Sequence, residues 1–387
     1  VPMVDGAAGS RPRIWPIYLG GFLGPFGAPV VTTMLPELGA SFGVDIAAAA
    51  ASLTAYLVPF AALMLISGTL AEHWGRRRTV RIGYLVFALA SIGCALAPSF
   101  GVFMAARVLQ GAANAFTTPV LVAAITELVP AHRLGRSLGI FGSMQATGQA
   151  MAPLAGGLAA AVDWRLGFAA ITLVSIGLAL APPPDAATPN TAHGWAQWRA
   201  LGNRQLATAC VTAALSYLTM MGVVILAALH ADLRFGLGPT ERGLAVAVLG
   251  VAGLASGAAT GSLLDRYQAL VVGAVLNVVM GLGAMAAGLS PWLAGLIVAI
   301  AVAGAAATGT RTISQQLAVT SVPGNRSGAT SVMLACQFTG AALAPLIWVP
   351  LYLGRHGMAL VYAGLPAIGA ALVLLLAWRL RWVVNPR

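Results

Sequence analysis

Arg107, Gln110, Asn114 and Thr118 recur at three- and four-residue intervals, so a helix through them carries all four on one face. Arg311, Ser314 and Gln315 repeat the pattern, Gln145 and Gln149 form a further pair four residues apart, and Gln337 stands alone in another apolar stretch. Amides and guanidiniums hold ligands by hydrogen bonds, and the two arginines attract negative charge. This is binding chemistry. The five histidines are scattered, with no HExxH pair and no Cys/His metal spacing. The chain has no lysine, so it cannot carry a Walker loop, whose lysine grips phosphate. An ATP-driven pump using such a loop in this chain is excluded. An enzyme is not expected, and neither is a cofactor or a metal. Any one of these glutamines alone is better explained by an interhelical hydrogen bond, and an arginine near a helix end can snorkel to water. As a set, they point to the polar lining of a cavity.

The elements that would position them are membrane helices. Of 387 residues 59% are hydrophobic and only 8% charged, too apolar for a soluble core to hide. Apolar runs long enough to span lipid as helices lie near 14–36, 46–70, 80–98, 101–124, 136–160, 165–183, 206–230, 241–263, 268–289, 292–316, 327–352 and 357–380. Barrel strands would be half as long and would alternate. Cys94, Cys210 and Cys336 all fall inside runs, which argues against a disulfide framework. The first run is too long for a signal peptide.

Charge sets the orientation. With the first run entering from the cytoplasm, 15 of the 21 arginines fall on the cytoplasmic side, Arg165, Arg234, Arg242 and Arg355 on the other, and Arg107 and Arg311 within runs. This is the positive-inside bias, and it places both termini in the cytoplasm. The net charge of +11 is therefore topological, and no nucleic-acid partner is expected. Residues 181–205, with three consecutive prolines and a polar stretch, divide the runs six and six. The expected organisation is a tail at 1–13, a bundle at 14–183, a cytoplasmic linker at 184–205, a second bundle at 206–380 and a tail at 381–387.

The halves repeat. Gly68 and Glu72 reappear 193 residues on as Gly261 and Asp265, and "GAA" at 111–113 reappears at 304–306. "VPAHRLG" at 129–135 returns as "VPGNRSG" at 322–328, and "QATGQAMAP" at 145–153 returns, 192 residues on, as "QFTGAALAP" at 337–345. Four matches in order at nearly one offset mark a duplication. Six helices per copy put both halves in the membrane the same way up, related by an axis along its normal.

"GTLAEHWGRRR", residues 68–78, resembles the loop signature between helices 2 and 3 of the major facilitator superfamily, Gly-x-Leu-x-Asp-x-x-Gly-Arg-Arg/Lys, with Glu72 in place of Asp. "GSLLDRY" at 261–267 resembles its weaker second copy, with Asp265 and Arg266 in the charged positions. "RVLQGAANA" at 107–115 resembles the helix 4 signature, and "GQAMAPLAGG" at 148–157 the helix 5 signature of exporters, through Gly148, Pro153, Gly156 and Gly157, with Ala152 replacing a glycine. The resemblance covers essentially the whole chain. It implies an all-α integral membrane protein, with twelve transmembrane helices in two pseudo-symmetric six-helix bundles that rock about a central site. It also implies that the residue 68–78 loop is a gate. There Gly68 and Gly75 allow a tight turn, Glu72 faces the positive N-terminal end of the eleventh run, and Arg76 pairs with Glu127 as in similar transporters. Those contacts would form only with the cytoplasmic side closed.

The helix 5 motif and "DWRLGF" at 163–168 resemble exporters, which favours outward movement of small amphipathic molecules. Arg107, Gln110, Asn114, Gln145, Gln149, Arg311, Gln315 and Gln337 are the expected substrate contacts, and "SYLTMM" at 216–221 suits loosely specified apolar ligands. Many drug exporters of the family carry an acid in helix 1. Here "YLGGFLGPFGAPVVTTMLPEL" has none until Glu37 at its outer end, and none of the ten acids falls at mid-depth of a run. Protons are thus a candidate coupling ion without an obvious carrier. A cavity with two arginines and no counter-acid suits anionic or neutral substrates. The alternatives are a facilitator or exporter of one metabolite not coupled to protons, and a transport-dead sensor or scaffold. The expected partners are a small-molecule substrate and membrane lipid, and the chain is expected to work as a monomer in a bacterial inner membrane.

Overall fold

The computed structural model describes residues 14–183, 201–322 and 325–380. Among these the chain is helical throughout. The first run divides into α1 (Trp15–Phe26), a 3-10 turn (Pro29–Thr33) and α2 (Leu35–Phe42). Then follow α3 (Ile46–Trp74), α4 (Arg76–Ala95), α5 (Phe100–Ala115), α6 (Thr118–Leu128), α7 (Ala131–Ala160) and α8 (Arg165–Leu180). The second half comprises α9 (Arg204–Leu233), α10 (Pro239–Arg266), α11 (Ala269–Leu289), α12 (Leu293–Ser321), α13 (Arg326–Arg355), α14 (Gly357–Ala363) and α15 (Leu365–Arg379).

Local chemistry sets the boundaries. Asp45 caps α3 by accepting from the Ala48 N–H at 2.6 Å. Asn203 and Asn325 cap α9 and α13 through the N–H groups of Leu206 and Gly328. Pro239 sits in the first turn of α10, where its missing N–H costs nothing, and Glu241 accepts from the Gly238 N–H at 3.0 Å. Three of the twelve expected runs are broken. Pro25, Pro29 and Pro36 interrupt the first, Pro119 restarts the fourth at α6, and Pro366 restarts the twelfth at α15. In each case a proline removes one rung of the backbone ladder.

Eight of the described helical stretches are long and apolar enough to cross a membrane, and Arg165–Leu180 is a shorter apolar helix. The surface supports the same reading. Leu89, Leu173, Val251, Leu282, Val298 and Leu372 are all more than half exposed, a density of bare aliphatic side chains that lipid covers and water does not.

The duplication read from the sequence has a physical counterpart in the packing. A Cβ at Gly111 would collide with the backbone carbonyl of Tyr56, and one at Gly304 with that of Leu249. Both members of this contact are 193 residues apart in the two halves. Likewise Gly148 lies against the Phe22 carbonyl and Gly340 against that of Ala214, both members displaced by 192. Close helix approach through small residues has been copied intact. Within the first half α3 packs on α5, α4 on α5 and α8, and α1 on α7; within the second, α9 packs on α13, α12 and α15, and α11 on α12 and α15. The bundles meet where α3 lies along α13 and α7 along α10.

Candidate functional site

The inter-bundle seam encloses a cavity. α7 contributes Ala146, Gln149, Ala150 and Pro153, α9 contributes Tyr217, Met220, Met221 and Val224, α10 contributes Val246, Leu249, Gly250 and Leu254, and α12 contributes Ala307, Thr308 and Arg311. The walls are apolar, and Arg311 is the one charged residue among those lining it. Its Nη2 donates to Gln145 Oε1 across the seam at 3.4 Å, a long and therefore weak bond.

One end of the seam is closed. Gly157 packs on the Pro239 carbonyl and on Gly243, and Gly250 packs on Ala150, so α7 and α10 approach backbone to backbone. On α3 and α13, Thr54 donates to the Ala342 carbonyl at 2.6 Å, and the rings of Phe60 and Phe338 meet edge-on at 4.7 Å. At the tip of this end stands Arg242 in the first turn of α10, its side chain only 3% exposed. It donates through Nη1 to Asp232 Oδ1 at 2.7 Å, and through Nη2 to Glu37 and to the Thr33 carbonyl. Glu37 belongs to the first bundle and Asp232 to the second, so a single guanidinium ties the two together. Beside it, the His230 ring nitrogen and the Tyr352 hydroxyl lie 2.9 Å apart.

At the other end, among the described residues, Gly68, Gly75 and Gly261 have no atom within 4 Å of where a Cβ would stand. Gly75 takes φ +85°, a conformation that favours glycine, and it makes the corner between α3 and α4. Arg77, Arg78, Arg133, Arg136 and Arg266 are exposed at this end. The side chains of Glu72, Glu127 and Asp265 lie outside the described residues, so the expected Glu72 and Arg76–Glu127 contacts are not seen here; Arg76 itself is half-buried.

The expected substrate contacts separate into groups. Gln149 and Arg311 line the cavity, with Gln145 bonded to Arg311. Gln315 is half-buried one turn further along α12 and is not in the lining. Gln337 is fully buried in α13, and neither its Oε1 nor its Nε2 has a hydrogen-bond partner among the described residues. Arg107, Gln110 and Asn114 do share a face, but that face is inside the first bundle. Arg107 is 0% exposed. It donates to the Gly27 carbonyl at 3.0 Å, to the Ser52 carbonyl at 3.4 Å and to Gln110, while the Tyr56 ring lies 4.5 Å from its guanidinium carbon. Gln110 in turn donates to Ser91 at 2.7 Å, and Asn114 to the Tyr56 hydroxyl at 2.9 Å and the Gly24 carbonyl at 3.1 Å. Carbonyl dipoles and a π face thus hold this charge without a carboxylate, and the network ties α1, α3, α4 and α5 together.

The exporter-like motif sits at both kinds of contact. Gly148 and Gly156 pack on α1 and the 3-10 turn, while Gly157 and Pro153 face α10 across the seam. Thr33 donates to the Pro153 carbonyl at 2.8 Å. Arg242 was not among the expected site residues. Its signal is topological: an arginine on the arginine-poor face needs a local reason, and Glu37 and Asp232 supply it.

This architecture defines a class of membrane carrier, and comparison with known proteins gives the family. The family model described as Major Facilitator Superfamily matches residues 17–345, and the chain belongs to that superfamily, whose members are transporters and not enzymes. An uncharacterized MFS-type transporter, Rv1250, of Mycobacterium tuberculosis is 33% identical over 51% of this chain and 35% of its own length. The puromycin resistance protein pur8 of Streptomyces alboniger is 35% identical over 43% of this chain and 34% of its own, and the multidrug resistance protein Stp of M. tuberculosis 33% over 36% and 26%. The matched stretches thus span about a third of these relatives' length or less. Among solved structures, a bacterial homolog of the human lysosomal transporter Spinster, inward-facing and unoccupied, superimposes with a TM-score of 0.78 over 99% of this chain and all of that one, at 18% identity. A peptide transporter, POT, gives 0.77 over 98% and 97% at 14% identity.

Proposed function

We propose that the chain is a secondary transporter that exports small amphipathic molecules by alternating access. In this reading the bundles at 14–183 and 206–380 rock about the cavity, and the arginine-rich face with both termini and the 184–205 linker is cytoplasmic. The carrying observation is a cavity between the two bundles whose seam is sealed at the arginine-poor end by Arg242 and packed glycines, the closure expected of a carrier that takes its substrate from the cytoplasm. The names of relatives such as pur8 and Stp support export of drug-like molecules. The transporter acts as a monomer in a bacterial inner membrane. Coupling to protons finds no group in the cavity, since no lining residue is acidic. That favours the second reading, transport not tied to protons.

Paired spin labels, one pair across each face, test the mechanism. Arg242→Gln removes the inter-bundle ion pair with Glu37 and, with it, the Asp232 pair within the second bundle. Each partner is about a quarter exposed, so the loss is about 1–2 kcal/mol. The population open at the arginine-poor face should rise about tenfold. Distances that stay single-valued across both faces, with substrate and without, in wild type and variant alike, would end the alternating-access reading.

A further inference from the structure

The cavity carries a charge preference that specifies its substrate further, on the reading that this cavity is the substrate site. Its walls offer Tyr217, Met220, Met221, Val224 and Leu249 to an apolar body. Its polar content is concentrated at one place, where Arg311 from the second bundle meets Gln145 and Gln149 from the first. No residue of the lining is acidic. A cationic substrate would therefore meet a like charge with nothing to pair against it. A neutral one would leave the half-buried guanidinium with the long Gln145 contact as its protein partner in the cavity. An anion with two or three oxygens can take the guanidinium fork in a bidentate pair, which a guanidinium's fixed planar donors match closely. The Gln149 amide is a further donor on the opposite wall. Binding would engage both bundles at once, because Arg311 and Gln149 belong to different halves.

We infer that the transported species is an amphipathic organic anion, its sulfonate, carboxylate or phosphate-type head on Arg311 and its apolar body against the Tyr217–Met221 wall. The charge also bears on the energy source. In a cell whose interior is negative, a monovalent anion moving outward runs down the electrical gradient, worth about a fiftyfold concentration ratio per 100 mV. Such export requires no titrating carboxylate in the pathway, and the cavity has none.

Three fluorescent naphthalene probes differing in head group test this on the full chain in lipid nanodiscs: 2-naphthalenesulfonate, 2-naphthylmethylammonium and 2-naphthalenemethanol. The sulfonate should bind at least about tenfold more tightly than the ammonium. Arg311→Gln should abolish that preference, Arg311→Lys should keep part of it, and neither should alter the unfolding temperature appreciably. In proteoliposomes under a potassium diffusion potential, sulfonate flux should follow the sign and size of the potential and ignore an imposed pH gradient. Equal or tighter binding of the ammonium, a preference that survives Arg311→Gln, binding of none of the probes, or sulfonate flux that follows pH instead of potential would each overturn the inference. All three probes moving at one rate leaves the transporter reading standing and removes the anion. An Arg311-dependent sulfonate site without flux keeps the anion site and removes transport.

Discussion

The two halves share a skeleton and differ in where they keep their charge. Gly111 on Tyr56 and Gly304 on Leu249 are the same contact made twice. Yet the positions matching Arg107, Gln110 and Asn114 at the 193-residue offset are Ile300, Ala303 and Ala307, all buried. The first half fills this face of its fourth run with a hydrogen-bonded cage around a cation. The second fills it with small aliphatic groups and carries its own arginine further along, at Arg311, where it reaches the cavity. Duplication thus preserved the close approach of backbones and left the polar groups free to diverge. On the proposed reading, one bundle became the rigid scaffold and the other the holder of the binding charge.

The strongest way to break this comparison is at the shared contact. Gly111→Leu and Gly304→Leu each put a side chain where a backbone carbonyl stands, and backbone cannot rotate away. Each should lose well over 3 kcal/mol, enough to abolish a monodisperse gel-filtration peak. The two should fail alike, whereas Gly68→Leu and Gly261→Leu, facing open space, should give normal peaks. If Gly304→Leu is tolerated while Gly111→Leu is not, the packing symmetry is only formal.

A smaller effect separates the halves. Arg107→Met keeps most of the volume but leaves Gln110 and the carbonyls of Gly27 and Ser52 without their donor. Unsatisfied buried acceptors cost about 1–3 kcal/mol each, offset in part by removing a buried charge, so a net loss of about 2–3 kcal/mol is expected. Ile300→Val at the matching site should cost about 0.5–1.5 kcal/mol. Thermal unfolding in detergent checks both. The binding preference among charged probes should be unchanged by Arg107→Met, since Arg107 is not in the cavity lining. A changed preference would move the binding charge into the first bundle.

The fold was legible because it rests on one-dimensional signals. Apolar run length and a constant offset between repeats need no knowledge of packing. The breaks at Pro29, Pro119 and Pro366 were visible as residues but not as consequences, because run-length reading averages over a single proline. The site was less legible. The spacing of Arg107, Gln110 and Asn114 correctly indicated one face, but periodicity does not say which neighbour that face meets, and here it meets α1 and α3 and not the seam. Arg311 and Gln149 read from the same pattern do reach the cavity, and nothing in their spacing distinguishes them from Arg107. Arg242 lacked a periodic signal altogether, since its partners come from residues 37 and 232.

The mildest test compares the two ends of the seam. The arginine-poor end is held here by a charge cluster, and the resemblance of residues 68–78 to the family's loop signature implies that a second cluster holds the opposite end when the carrier is outward-open. On that reading Glu72 lowers the energy of the outward-open state, through the N-terminal end of α13, an interaction of about 0.3–1 kcal/mol at an exposed helix end. Glu72→Gln should therefore leave unfolding of the inward-open form unchanged and reduce the outward-open population about two- to fivefold, read from the spin-label pair across the arginine-rich face. The effect should be opposite in sign to that of Arg242→Gln, and the double variant should return towards the wild-type balance, because the two clusters pull one equilibrium from opposite ends. A Glu72→Gln protein with an unaltered balance would leave Arg242 as the sole charged latch and the glycine loop as a simple corner.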